Sequence, residues 1–118
     1  MALIALPACA EDKADGAALY QTHCLTCHQA NGKGVPRMQP PISGSEIVTG
    51  YPDTLVAYTM LGSGDAPGDW ANAMPGYDFL SNADLAALLT YVRVQFGEGG
   101  AITPAAVADV RSQLFDTD

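Results

Sequence analysis

Basic residues are scarce in this chain. Only 5 Lys and Arg stand against 13 Asp and Glu among 118 residues, a formal charge of −8. A chain this acidic is disfavoured as a binder of nucleic acid or of an anionic lipid surface. A partner with a basic or largely apolar docking face suits it better. Long apolar runs are also missing. Although 48% of the residues are hydrophobic, no stretch reaches the roughly 18 consecutive apolar residues that a membrane-spanning helix requires, so no transmembrane segment is expected. Nor does any stretch alternate apolar and polar residues as a half-buried strand would. The length is that of a single domain.

The opening Met1-Ala2-Leu3-Ile4-Ala5-Leu6-Pro7-Ala8-Cys9-Ala10 is apolar and ends in small residues ahead of the charged Glu11-Asp12-Lys13. It resembles the end of a secretory leader without the usual basic start, with Ala8-Cys9-Ala10 as a small-x-small cleavage site. Residues 1–10 are therefore read as a leader remnant and residues 11–118 as the folded domain, exported to the periplasm. An alternative takes Leu6-Pro7-Ala8-Cys9 as a degenerate lipobox, with acylated Cys9 tethering the protein to a membrane, although proline fits that pattern poorly.

Helix signals follow in order. Asp12 is placed to cap a first helix, with Asp15 favoured by the helix dipole in its first turn and an end near Cys24. A loop rich in Gly and Pro follows from Asn31 to Gly44. Pro52 suits the first turn of a second helix, buried along Leu55, Val56 and Met60 and ended by Gly62-Ser63-Gly64. After another irregular stretch from Asp65 to Leu80, Ser81-Asn82-Ala83-Asp84 reads as a cap, and Leu85, Leu88, Leu89, Val92 and Phe96 share one helical face. Thr103-Pro104 starts a last helix, with Val107, Val110 and Leu114 on one side. The pattern predicts an all-α fold of four to five helices. Loops this long in so short a chain need a large ligand to pack on.

Cys24-Leu25-Thr26-Cys27-His28 is the Cys-x-x-Cys-His pattern of c-type haem attachment, in which both thiols add to haem vinyl groups and the histidine becomes an axial iron ligand. Two other chemistries use Cys-x-x-Cys. A zinc site would need two more ligands from the badly spaced His23, His28 and Cys9, and a redox-active dithiol would need a βαβ surround that is absent.

The sixth iron position separates electron carriers from oxygen or peroxide chemistry. Met38 follows His28 by only ten residues, too close for the chain to reach the other face of a haem. Met60 falls at an apolar helical position, where core packing is the default, and Met1 belongs to the leader. Met74, before Pro75-Gly76, is the expected ligand, because a rigid turn there can hold a thioether against iron.

These residues resemble those of the class I cytochromes c. Gly16-x3-Tyr20-x3-Cys24 looks like that family's first helix, and Leu88-x-x-Tyr91 like the helix face it crosses. Pro40-x-Ile42-x-Gly44 is similar to the segment whose proline carbonyl accepts a hydrogen bond from the axial histidine, here His28. Met74-Pro75 resembles the distal ligand motif. The resemblance implies a class I cytochrome c fold around one haem c, with Cys24, Cys27, His28, Met74 and Pro40 at the cofactor and His28 and Met74 on iron. A carbonyl acceptor would make His28 more basic, and a thioether would raise the potential relative to bis-histidine ligation.

Other residues carry weaker expectations. Trp70 is a candidate donor to a haem propionate or a core residue. Arg37 is a second candidate propionate partner, Tyr58 is unassigned, and His23 is expected to point away from the iron into solvent. Pro40-Pro41-Ile42-Ser43-Gly44-Ser45 and Leu89-Thr90-Tyr91-Val92-Arg93 are similar to cytochrome domains serving periplasmic quinoprotein dehydrogenases. That likeness implies an electron carrier between a dehydrogenase and an oxidase or another cytochrome, and no catalytic residue of its own. The competing functions are a permanently bound cytochrome subunit of a larger oxidoreductase, and a haem enzyme or sensor with an open sixth site.

Overall fold

The structure is a computed structural model that describes residues 15–38, 41–64, 73–97 and 99–115. The leader, Cys9, Asp12, Pro40 and Trp70 lie outside the described residues. Among the described residues the chain forms helices and no β-strand: α1 Gly16–His23, α2 Leu25–His28, α3 Glu46–Thr49, α4 Pro52–Leu61, α5 Asn82–Phe96 and α6 Pro104–Phe115. The four longer helices are those expected from the sequence. The single turns α2 and α3 are additional to them, because four residues are too few to register as a helical period. No helix among the described residues is long and apolar enough to cross a membrane.

Asp15, expected within the first turn of a helix, instead lies just outside the first helix among the described residues. Asp15, in extended backbone, is the cap, and its Oδ1 accepts from the amides of Ala17 at 3.1 Å and Ala18 at 3.2 Å. Gly16 then opens the helix where it crosses α5. A Cβ at Gly16 would run into the carbonyl oxygen of Ala87 and lie 2.8 Å from Cβ of Tyr91, so only glycine lets the two backbones approach this closely. One turn further on, Tyr20 is 1% exposed. Its ring packs 5.5 Å from Tyr91 and 5.3 Å from Phe96, between centroids, and its hydroxyl donates to the Gln29 carbonyl at 2.6 Å. The aromatic that fills the crossing therefore also holds the chain just beyond α2.

Helix α5 behaves as its sequence indicates. Ser81 Oγ accepts from the Asp84 amide at 3.0 Å, and Leu85, Leu88, Leu89 and Val92 are buried. Helix α6 packs on α4 and α5 through Val107 and Val110, both buried. Its approach is fixed by Thr90 on α5. The hydroxyl of Thr90 donates to the Ile102 carbonyl at 3.1 Å and accepts from the Ile102 amide at 2.9 Å, pinning the turn that leads into α6. Thr90→Val keeps the side-chain shape but leaves both backbone groups of buried Ile102 without that partner, at a cost of about 1–3 kcal/mol. We expect the thermal midpoint to fall by about 5–15 °C; an unchanged midpoint would show that the buttress contributes nothing.

The long loop before α3 is stitched to the end of α5. The amides of Ile42 and Ser43 donate to the Gly32 carbonyl at 2.8 and 3.0 Å, and the Gly44 amide donates to the Phe96 carbonyl at 2.9 Å. Pro41 and Ile42 thus run along one side of the cleft described next.

Candidate functional site

Three of the expected site residues are held in one turn of chain. Cys24 ends α1, its amide bonded to the Tyr20 carbonyl at 2.8 Å. The Cys24 carbonyl then accepts from both the Cys27 amide at 3.2 Å and the His28 amide at 2.8 Å. Helix α2 is therefore wound on Cys24, and the interval of two residues between the cysteines becomes a fixed spatial offset. Gln29, at φ 68°, stops the helix directly after His28.

Met74 arrives from a separate segment that hangs on the end of α4. Its amide donates to Ser63 Oγ at 2.8 Å, and its carbonyl accepts from the Ser63 amide at 3.0 Å. Three residues on, the Tyr77 amide donates to the Thr59 carbonyl at 2.8 Å. Two glycines allow this close apposition. A Cβ on Gly62, which sits at φ 76°, would lie 2.5 Å from the Met74 carbonyl oxygen, and one on Gly76 would lie 2.5 Å from the Met60 carbonyl oxygen. Backbone meets backbone here, with no room for a side chain between.

Cys24, Cys27, His28 and Met74 all line one cleft of about 1020 Å³, counting the part open to solvent. The remaining walls are mainly apolar, supplied by Ile42, Val48, Leu55, Leu88 and Val92. Thr59 also faces the cleft, but its hydroxyl is engaged with the Leu55 carbonyl at 2.7 Å within α4. Of the other methionines expected to be uninvolved, Met60 is 1% exposed in the core, Met38 is 45% exposed, and neither lines the cleft.

The two sides of the cleft are tied by Tyr77, whose hydroxyl donates to the His23 carbonyl at 2.9 Å. This tie corrects the expectation for His23. Its side chain is half-buried and lines the cleft, edge-on to Tyr77 at 5.5 Å and to Phe79 at 5.8 Å. The cause is local: α1 ends at His23, and the bond from Tyr77 turns that end toward the Met74 segment. Tyr58, unassigned from sequence, also lines the cleft, whereas Arg37 is exposed and is not part of its lining. Pro41 lines the cleft, while Pro40 lies outside the described residues. Sequence reasoning missed Tyr77 and Ser63 as site residues, since a hydrogen bond to a distant backbone group leaves no spacing pattern.

The chemistry of this donor set suits a covalently held haem. Two thiols one turn apart, an imidazole directly after them and a soft thioether from a second segment converge on an apolar cleft, which is how c-type haem is bound and ligated. It does not suit an exchange-active dithiol. Burial, followed by the proximity of Cys27, pushes the Cys24 thiol up to about 11, opposite to the lowered values of redox-active pairs. Among the described residues no cluster of three or more His, Cys, Asp or Glu could hold a metal ion.

Comparison with known proteins places these features in context. The Cytochrome c family model matches residues 13–95. The cytochrome c subunit of a quinone alcohol dehydrogenase from Gluconacetobacter polyoxogenes is 37% identical over 103 residues, covering 81% of this chain and 22% of that subunit. Cytochrome c-552 from Thermus thermophilus is 30% identical over 106 residues, covering 83% of this chain and 71% of that protein. The fructose dehydrogenase cytochrome subunit of Gluconobacter japonicus is 32% identical over 107 residues, again with 22% of its length covered. The chain thus spans about a fifth of the length of the dehydrogenase subunits it matches.

Proposed function

The chain belongs to the cytochrome c family, whose members carry covalently attached haem c, and we propose that it is a one-electron carrier with Cys24 and Cys27 as the attachment residues and His28 and Met74 as the axial ligands. The observation that carries the proposal is the convergence of these four side chains on one apolar cleft. Bound there, haem c supplies a one-electron couple whose potential the protein sets through ligands and surroundings.

The chain's own residues supply the rest. Cys24 and Cys27 hold the group through two carbon–sulfur bonds, so it cannot exchange between molecules. Winding α2 on the Cys24 carbonyl fixes where the His28 imidazole lies. Met74 presents a soft sulfur that favours the reduced state, and the Ser63 and Thr59 anchors keep it in place. The apolar walls exclude water, which lowers the reorganisation accompanying a change of charge. Were His28 and Met74 both to ligate the iron, no position would be left open to a small oxidant, which favours electron transfer over catalysis.

The charge of −8 suits a partner with a basic docking face. The donor in this reading is a periplasmic dehydrogenase and the acceptor an oxidase or a second cytochrome. Export to the periplasm agrees with the apolar residues 1–10 read as a leader. A permanent place as the cytochrome subunit of a larger oxidoreductase is the second reading, favoured by the dehydrogenase subunits among the relatives.

Affinity purification from native membranes and periplasm, followed by sedimentation and rapid-mixing oxidation of the reduced protein, tests the proposal. A free carrier is recovered as a species of one chain's mass and exchanges electrons with a rate that falls as salt is raised. Co-sedimentation with a dehydrogenase through high salt would establish the subunit role, and failure to cycle between two redox states would exclude both.

A further inference from the structure

The last helix lies beyond the family match, which ends at residue 95, yet it reaches the loop that carries Met74. Arg111 on α6 makes three hydrogen bonds at once. Its Nη1 donates to the Asp78 carbonyl and its Nη2 to the Leu80 carbonyl, each at 2.7 Å, and its Nε donates to Asn82 Oδ1 at 2.9 Å. All three acceptors lie between Met74 and the first turn of α5. A guanidinium is suited to this, because its donors form a rigid planar fork and its charge is permanent.

The loop is thereby fastened at both ends. Ser63 and Thr59 hold Met74 and Tyr77 to the end of α4, and Arg111 holds residues 78–82 to α6. Helix α6 is a firm base, with Val107 and Val110 buried against the rest of the core. Any movement that withdraws Met74 from the cleft must carry the following residues with it, and such movement works against the Arg111 bonds.

We propose that Arg111 is a positioning residue for Met74, and that α6 is a brace which sets how readily the thioether is displaced from iron by an external ligand. This rests on the reading of Met74 as axial ligand given above. The test is an imidazole titration of the oxidised holoprotein, followed through loss of the weak far-red thioether-to-iron band, in wild type, Arg111→Ala and Tyr91→Ala. Releasing the loop in Arg111→Ala should tighten imidazole binding about tenfold, the effect of losing one net hydrogen bond to a charged donor. Tyr91→Ala lowers the unfolding midpoint by removing a ring from the Tyr20 and Phe96 cluster but leaves Arg111 and the buried residues of α6 in place, so its imidazole affinity should stay within about twofold of wild type. Should Arg111→Ala not accumulate, Arg111→Lys is read by the same standard, since an ammonium keeps the charge but lacks the planar fork that meets all three acceptors.

Equal imidazole affinity in wild type and the Arg111 variant would overturn the proposal. So would an increase in Tyr91→Ala as large as that in Arg111→Ala, because the effect would then follow general stability. A wild-type protein with no far-red band would instead remove Met74 as ligand and take the brace down with it, an outcome visible before any variant is titrated.

Discussion

Met74→Ala is expected to retain covalently bound haem while its midpoint potential falls by on the order of 0.1–0.3 V, a substantial part of the roughly 0.8 V range that axial ligands set. A thioether is a weak donor and a π-acceptor, so it stabilises the reduced iron relative to harder ligands or water. Alanine cannot ligate, and the vacated position becomes available to solvent. Attachment should persist because Cys24, Cys27 and His28 are organised by α1 and α2, and the tie from the Met74 segment to the end of α1 runs through Tyr77, which the substitution leaves in place. The variant should stay folded, since Ser63 bonds to the backbone of residue 74 and not to its side chain. Potentiometric titration of both proteins measures the difference directly. An unchanged potential would mean that Met74 is not on the iron and that the sixth ligand has another source.

The largest effect on stability is expected at Gly16. Valine there places three carbons where the Ala87 carbonyl and Tyr91 Cβ already stand, and these are helix backbone and near-backbone atoms that cannot rotate away. Overpacking of this kind typically costs about 1–3 kcal/mol, and the rigidity of both partners puts Gly16→Val at the upper end, near 3 kcal/mol. The thermal midpoint should drop by on the order of 10–20 °C. Because Tyr20 and Cys24 lie further along α1, pushing the helix away from α5 also shifts the cysteine at its end, so the yield of protein with attached haem should fall. Gly100→Val is the control, since a Cβ at Gly100 meets nothing within 4 Å. Equal loss in the two variants would show that the crossing is not what Gly16 protects.

Much of this architecture could be read from residue order because its signals are local. Ser81 with Asp84 and the Leu85, Leu88, Leu89 and Val92 face define α5 without reference to the rest of the chain, and Pro52 and Gly62 bracket α4 in the same way. The start of α1 was less legible. Asp15, read from sequence as a first-turn acid, instead caps α1 one residue before the tight crossing at Gly16. Cys24, Cys27, His28 and Met74 were recognisable because their chemistry is unusual, and the structure brings all four to one cleft.

What supports those residues was not recognisable. Ser63, Tyr77 and Arg111 act through backbone carbonyls and amides between 11 and 54 positions away, where residue type and spacing carry no signature. His23 was misread for a related reason: a histidine at a helix end is usually solvated, and only the bond from Tyr77 to its carbonyl turns it toward the cleft. Fold and candidate ligands are thus written in local patterns, while the contacts that hold the Met74 segment are long-range.

Exposure of the reduced holoprotein to carbon monoxide tests the central claim most directly. If His28 and Met74 occupy both axial positions and the protein is an electron carrier, the reduced spectrum should stay unchanged under saturating carbon monoxide, while Met74→Ala forms the adduct readily. Prompt adduct formation by the wild-type protein would contradict the account, and would indicate an open sixth site and a haem enzyme or sensor in place of a carrier.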